Sequence, residues 1–188
     1  MDSDLQPPPA PAGAQRLFER WHRIECWIAV AAFSFIAVLL VLDVLGRELL
    51  GPISLALGLK LGATGILGAQ KVSVFALVIG SFCGIGVATA TNSHLVPRVA
   101  FSWVPAGWSP ALNRLADVIT GTFMVAVAWY ALQFVLDSKA SGMRAPVLNW
   151  EVWPFQLAIP LGFLSAAVRY FMFAVWPVLK PKPPEVQE

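Results

Sequence analysis

The chain has 188 residues, of which 57% are hydrophobic and 13% are charged, and its formal net charge is +2. Soluble domains carry roughly 25% charged residues, so this composition excludes an ordinary soluble domain. The small net charge also gives no reason to expect a nucleic-acid partner.

Four apolar stretches, each with an uncharged core of spanning length, make up almost half of the sequence. A membrane-spanning helix needs ~20 mainly apolar residues, and the lipid interior leaves the backbone to satisfy its own hydrogen bonds. We therefore predict an all-α, polytopic membrane protein with four transmembrane helices. The predicted spans are residues 26–46, 72–91, 115–136 and 152–176.

The segment before the first span divides into two parts. Residues 1–15 are rich in proline and predict a disordered tail, so the membrane domain is expected to cover residues 16–179. Residues 16–25 mix arginines with apolar residues at helical spacing, which predicts either an amphipathic lead-in at the membrane surface or a plain helix extension. No small-residue cleavage site follows the first apolar stretch, so we expect that stretch to remain in the mature protein.

The connection between the first two spans is ambiguous. Residues 53–70 are apolar but contain Lys60 and four glycines. They are compatible with a fifth span, a re-entrant piece or an interfacial helix, and the lysine and glycine spacing favour a position at the outer surface or against a protein neighbour. Residues 180–188 are expected to form a short charged tail.

Basic residues near the span ends indicate orientation. If both termini are cytoplasmic, seven Lys and Arg residues flank the spans inside and five flank them outside. The inner set is Arg16, Arg20, Arg23, Arg98, Arg114, Lys180 and Lys182, and the outer set is Arg47, Lys60, Lys71, Lys139 and Arg144. The basic residues therefore predict a multi-pass membrane protein with both termini in the cytoplasm.

Three charged residues lie near or within the spans. Asp43 and Arg47 are four residues apart and share one helix face. They predict either an ion or proton relay or a satisfied pair that anchors the helix end, and we favour the pair because Arg47 would neutralise the carboxylate. Arg169, deep in the fourth stretch, either extends to the headgroups or binds an acidic group on another helix.

Histidines and cysteines raise the question of a cofactor. His94 ends the second span, and a haem site would also need His22 near a facing position. Both histidines lie at predicted span ends, where such a site would be poorly buried, so we predict no cofactor and no metal. Cys26 and Cys83 fall within predicted spans and are expected to be small buried hydrophobes.

Small residues recur every four positions in two spans, a pattern that lets helix backbones approach closely in lipid. These faces are expected to build the bundle or to dock a larger membrane protein, and Pro160 is expected to kink the fourth helix. The rows are Ala76, Gly80, Gly84 and Ala88 in the second span, and Ala158, Gly162 and Ala166 in the fourth.

The sequence lacks a recognisable catalytic set, phosphate loop or metal cluster, which predicts that the chain is not an enzyme. It also lacks a run of embedded carboxylates or a broken-helix binding site, which a self-sufficient transporter typically has. An accessory role in a larger membrane assembly is therefore favoured over two alternatives. These are a stand-alone proton-coupled transporter that uses Asp43, and a haem-binding redox protein.

Several short motifs occur in order along residues 16–176. They are Asp43-Val44-Leu45-Gly46-Arg47 followed by Gly51-Pro52, Gly84 ten residues before His94, and Ile159-Pro160-Leu161-Gly162-Phe163 with Arg169 beyond it. In this order and spacing the motifs resemble those of the small membrane (DctQ-type) subunit of tripartite ATP-independent periplasmic (TRAP) transporters. The chain departs from the family pattern at Lys71 and Arg98, where such subunits often have acidic residues.

The resemblance implies a scaffold subunit, in a bacterial inner membrane, of a sodium-coupled, binding-protein-dependent importer of organic acids. It implies three kinds of partner: a large TRAP membrane subunit with the substrate and ion sites, a periplasmic substrate-binding protein and membrane lipid. In this role, we expect Asp43, Arg47, His94 and Arg169 to provide polar anchoring or a subunit interface. Arg47 and Arg169 in particular are expected to meet carboxylates or carbonyls of the large subunit, or the headgroups.

Overall fold

A computed structural model describes residues 11–58, 64–91 and 109–181. Four helices in these ranges are long and apolar enough to cross a membrane. The prediction of an all-α polytopic membrane protein with four spans is therefore confirmed.

The first helix is longer than its predicted span. Helix α1 runs over Ala12–Leu45 and continues through a π-helical turn, Gly46–Leu50, into a short helix α2, Gly51–Ala56. The Pro11 carbonyl accepts the first hydrogen bonds of α1, from the amides of Ala14 and Gln15, so the helix begins inside the predicted tail. The part of this continuous helix that is a candidate membrane span, Ala12–Ile53, has 42 residues and is ~63 Å long, about twice the thickness of the hydrocarbon layer. The lead-in is thus a continuous extension of the first span that reaches beyond the hydrocarbon.

Three further long helices follow: α3 covers Ala69–Ala90, α4 covers Ser109–Ala140 and α6 covers Ala158–Val175. A four-residue helix α5, Trp153–Gln156, precedes α6, and a 3₁₀ turn, Pro177–Leu179, ends it. The break between α5 and α6 falls at Leu157 because the ring of Pro160 clashes with the carbonyl four residues before it, that of Gln156. Pro160 therefore interrupts the helical hydrogen bonding, while the apolar helix Trp153–Val175 remains long enough to cross the membrane as one span.

The long helices pack in the spatial order α1, α3, α6, α4. Small residues allow the close crossings. A Cβ on Gly80 would lie 3.1 Å from the Cβ of Ala32 on α1, and a Cβ on Gly162 would lie 2.6 Å from the Phe82 carbonyl oxygen on α3. Helix α3 is thereby fixed against both of its neighbours.

Aromatic contacts and loops define the two ends of the bundle. At one end, called here the terminal end, Phe18 near the start of α1 lies 5.9 Å from Phe173 near the end of α6, measured between ring centroids. At the opposite end, called the loop end, Phe75 stacks on Phe155 at 4.3 Å, and the Leu148 side chain covers Gly68. Gly68 has a positive φ of 82°, which favours glycine at the entrance to α3.

The described part of residues 53–70 contains no helix of spanning length. Helix α2 ends at Ala56, residues 64–68 are not helical, and α3 begins at Ala69. The non-helical piece lies on the end of α1, because the Thr64 carbonyl oxygen would be 2.6 Å from a Cβ on Gly46. Lys60 lies outside the described residues.

Candidate functional site

A buried ion pair joins the first and last long helices near the terminal end. Arg169 on α6 has no exposed surface and Glu25 on α1 is 7% exposed, and Arg169 Nη2 lies 2.6 Å from Glu25 Oε2. Charged side chains are expensive to bury in a membrane protein and are found paired there. Of the two sequence-based alternatives for Arg169, the structure therefore has the acidic partner on another helix. The expected contact of Arg169 with the large subunit or the headgroups is wrong, since the pairing is internal and fully covered.

Hydrogen bonds complete this arrangement, which we call the Glu25 cluster: Glu25, Arg169, Ser165, Trp21 and the Gly86 carbonyl. Glu25 Oε1 accepts hydrogen bonds from the Ser165 hydroxyl at 2.5 Å and from the Trp21 indole N–H at 2.9 Å. Arg169 Nη1 donates to the Gly86 carbonyl oxygen at 2.6 Å and to Ser165 Oγ at 3.1 Å. Three helices, α1, α3 and α6, thus meet in one polar network.

Aromatic rings enclose the guanidinium of Arg169. Its Cζ atom lies 5.2 Å from the Trp21 ring centroid and 5.5 Å from that of Phe18. At this range the ring faces attract a cation and also exclude water. The enclosure strengthens the electrostatic contact with Glu25 because the local dielectric is low.

Gly86 sets the space available to the cluster. A Cβ at this position would lie 2.6 Å from both carboxylate oxygens of Glu25 and 2.7 Å from Arg169 Nη1. A larger residue would displace the ion pair, so glycine is required here by close approach.

A second ion pair lies at the loop end, where α1 passes into its π-helical turn. Arg47 Nη2 lies 2.7 Å from Asp43 Oδ2, and Asp43 Oδ1 accepts a hydrogen bond from the Ile66 amide at 2.8 Å. A Cβ on Gly65 would lie 2.7 Å from Arg47 Cγ, so the returning chain packs directly on this pair. Asp43 therefore fastens residues 64–68 to the end of α1.

A third pair ties the end of the chain to α4. Lys180 Nζ lies 2.6 Å from Asp117 Oδ1, and Asp117 is 5% exposed. Since Lys180 follows the 3₁₀ turn after α6, this contact fixes that turn against the first part of α4.

The structure separates the predicted polar residues into different places. Asp43 and Arg47 meet at the loop end and Arg169 lies in the Glu25 cluster, whereas His94 lies outside the described residues. His22, the other half of the haem alternative, contacts the Cys26 sulfur at 3.6 Å.

The predicted packing residues also differ in their surroundings. Gly80 and Gly162 lie at close helix crossings, Pro160 is buried, and Ala76 and Ala88 are half-buried. Gly84 has open space beside it, because a Cβ there would meet nothing within 4 Å in the described part of the chain.

Sequence reasoning missed Glu25, Ser165, Trp21 and Gly86. A signal for Glu25 was present, since it immediately precedes the first uncharged stretch and follows Trp21 by one helical turn. An arginine as deep as Arg169 requires an anionic or carbonyl partner, and Glu25 is the acidic residue nearest the start of that stretch. Ser165, one turn before Arg169, shares its helix face.

Comparison with known proteins gives two findings. The sequence profile of the family described as "Tripartite ATP-independent periplasmic transporters, DctQ component" matches residues 36–178. The chain is also 26% identical over 153 residues to the ectoine TRAP transporter small permease protein TeaB of Halomonas elongata. That alignment covers 81% of this chain and 73% of the relative.

Proposed function

The chain belongs to the DctQ-component family of tripartite ATP-independent periplasmic transporters, and on that premise we propose that it is their scaffold subunit. As such a small permease subunit it is a membrane component of a transporter. In the proposed role it supports a larger membrane subunit that holds the substrate and ion sites. A binding protein delivers the substrate to the assembly, and a sodium gradient drives uptake.

The observation that carries the scaffold role is the pairing of the buried carboxylates. Among residues 11–58, 64–91 and 109–181, the buried acidic side chains are Glu25, Asp43 and Asp117, and each has a cationic partner within 2.7 Å. A coupled transporter needs a carboxylate or carbonyl set that exchanges its ion. Neutralised pairs favour fixed helix contacts over ion exchange, which also argues against the stand-alone proton-coupled alternative based on Asp43.

The apolar surface of the bundle supports the same role. Among the 18 most hydrophobic consecutive residues of the first span, only 6% are buried within the described structure. In the corresponding segment of α4, only 17% are buried. A groove of about 270 Å³ between α4 and α6 is lined by apolar side chains, among them Trp129, Leu132 and Leu161. Such surfaces suit lipid or a companion helix, and the side chains that line the groove offer no polar group to a hydrated solute.

Reconstitution tests the proposal. Liposomes with the large subunit and this chain together, supplied with the binding protein, are expected to accumulate solute when a sodium gradient is imposed. Liposomes with this chain alone are expected to show none. Organic acids are the first substrates to test, with ectoine, named for the relative, as a second probe. Uptake by this chain alone, or full uptake by the large subunit without it, would contradict the scaffold role.

The proposed location is the bacterial inner membrane with both termini in the cytoplasm. The terminal end holds Arg16, Arg20, Arg23, Arg114 and Lys180, and the loop end holds Arg47, Lys71, Lys139 and Arg144. In the described ranges, the terminal end therefore has one basic residue more than the loop end, which favours its placement inside. Cysteine labelling tests this orientation. The chain's own two cysteines are replaced, and a single cysteine is introduced at Gly13 or at Gly142. An impermeant thiol reagent added to intact spheroplasts should label the cysteine at position 142 and leave the one at position 13 unlabelled.

A further inference from the structure

The part of α1 that extends beyond the hydrocarbon layer carries an exposed basic stripe. Arg16, Arg20 and Arg23 are exposed, and Trp27, one turn further along, is 70% exposed. In the described part of the chain, none of the three arginines has an ion pair or hydrogen bond. Their charges are thus available to an external partner.

Helix geometry places these residues on one face. Each residue advances by about 100° around the helix axis, so Arg16, Arg20, Arg23 and Trp27 lie within about 60° of one another. The same rule places them about 140–180° from Glu25, which points into the bundle. The single acidic neighbour, the exposed Glu19, lies beside the stripe and leaves it with a net positive charge.

The Glu25 cluster fixes this orientation. Phe18, Trp21 and Glu25 are held against α6 by the Phe173 ring contact, the cation–π contact and the ion pair. Since the helix cannot rotate without breaking these contacts, the stripe must face away from the bundle. An ordinary amphipathic lead-in would instead be free to turn.

The depth of the stripe matches the headgroup layer. Uncharged sequence begins at Cys26, so Arg23 lies ~4.5 Å, Arg20 ~9 Å and Arg16 ~15 Å from it along the helix axis. The polar layer on each side of the hydrocarbon is about 5–8 Å thick. Arg23 therefore lies within this layer, Arg20 at its edge within side-chain reach, and Arg16 beyond it.

We propose that Arg20 and Arg23 on the outer face of α1 bind the headgroup of an acidic phospholipid, with Arg16 adding positive charge above the headgroup and Trp27 at the boundary of the acyl region. The planar guanidinium donates paired hydrogen bonds to phosphate oxygens, and interfacial tryptophan anchors a helix at this depth. The site is independent of the transport role proposed above. It gives the small subunit a fixed lipid contact at the entrance of its first span.

Lipid retention by the purified full-length chain tests the site. The chain is equilibrated in mixed micelles of phosphatidylglycerol and phosphatidylcholine, and the lipid that remains bound is counted by native mass spectrometry. One basic residue near the membrane surface increases the affinity for acidic lipid by about fivefold. We expect R23Q to lower the retention of phosphatidylglycerol by about fivefold, R20Q by less and R16Q by least, while phosphatidylcholine retention stays constant.

Two controls separate the stripe from general charge. R114Q removes an exposed arginine at the same end of the bundle but on α4, and it is expected to retain phosphatidylglycerol as the wild type does. The triple lysine variant of the stripe keeps the charge and is expected to lose less than the triple glutamine variant. Excess inorganic phosphate is expected to leave the bound lipid in place, because it lacks the acyl chains that meet Trp27.

Three results would overturn the proposal. The triple glutamine variant could retain phosphatidylglycerol at the wild-type level, or R114Q could lose as much as R23Q. The triple variant could also lose the large subunit in phosphatidylcholine micelles while its lipid retention is unchanged, which would assign the stripe to a protein partner. Far-ultraviolet circular dichroism checks that each variant keeps its helices, as expected for residues that point away from the bundle.

Discussion

Replacing Arg169 by methionine tests the Glu25 cluster directly. Methionine fills a similar volume but carries no charge, so the carboxylate of Glu25 is left buried without its cation. The variant also loses the donors to the Gly86 carbonyl at 2.6 Å and to Ser165 at 3.1 Å. Removal of one partner of a buried ion pair costs about 3–5 kcal/mol of folding free energy. A loss of this size lowers the folded-to-unfolded ratio by a factor of the order of 10³.

A double-mutant cycle separates the ion pair from simple loss of packing. The single variant E25Q leaves Arg169 as the unpaired charge, so we expect it to be destabilised by a similar amount. In the double variant E25Q/R169M, the glutamine carbonyl oxygen still accepts from Ser165 and Trp21, and no buried charge remains. We expect the double variant to lie within about 2 kcal/mol of the wild type, which requires a coupling energy of at least about 4 kcal/mol when each single variant loses at least about 3 kcal/mol.

Equilibrium unfolding in mixed micelles measures the free energy of unfolding of each variant relative to the wild type. The mole fraction of dodecyl sulfate is increased stepwise, and helicity is followed as the signal. R114M is the matched control, because Arg114 is exposed at the same end of the bundle. Its free energy of unfolding is expected to lie within about 0.5 kcal/mol of the wild-type value. If R169M unfolded like the wild type, or if the two single effects simply added in the double variant, the ion pair would not hold α1 to α6.

Three further variants test other contacts, two of them by the same unfolding assay and one by hydrogen exchange. G86A is expected to cost about 1–3 kcal/mol because its Cβ would meet the Glu25 oxygens at 2.6 Å, whereas G84A should be neutral or slightly stabilising; equal effects would contradict the close approach at Gly86. D43A should speed hydrogen exchange at the Ile66 amide by about tenfold, since that amide loses its acceptor, while D43N should keep most of the protection; unchanged exchange in D43A would contradict the tether. K180Q is expected to cost about 1 kcal/mol, because Lys180 is partly exposed, and a loss above about 3 kcal/mol would mean that solvent does not reach its pair.

The four spans were predictable because each is encoded locally. An uncharged stretch of about 20 apolar residues has one stable arrangement in lipid, so composition alone locates it. The Asp43–Arg47 pair was predictable for the same reason, since a spacing of four residues on a helix places two side chains together wherever the helix lies.

The Glu25 cluster was not predictable in this way. Glu25 and Ser165 are 140 positions apart, and their meeting depends on the rotation of α1 and α6 about their own axes. Sequence reasoning placed Glu25 in the lead-in outside the span, so Arg169 was left without an internal partner. The continuous helix from Ala12 to Leu45 instead brings Glu25 into the bundle.

The glycine positions show a similar limit. When small residues recur every four positions, each successive residue is rotated by about 40° around the helix axis. Such a row therefore cannot face one neighbouring helix along a whole span. The structure uses Gly80 toward α1 and Gly86 toward the Glu25 cluster, while Gly84 meets open space in the described residues. Spacing alone identifies candidate crossings, and the actual crossing depends on where each neighbouring helix passes.

Helix α1 is fastened at both ends and exposed between them. Near the terminal end the Glu25 cluster ties it to α3 and α6, and at the loop end Asp43 ties it to the chain that enters α3. These two points are 18 positions apart, or ~27 Å along the axis, which is close to the thickness of the hydrocarbon layer. A helix held at both membrane boundaries resists tilting and rotation, so its apolar outer face keeps a constant position relative to the bundle. A face of this kind is what a stationary support needs if a neighbouring subunit moves against it, and variants that release either end should therefore weaken assembly before they alter helicity.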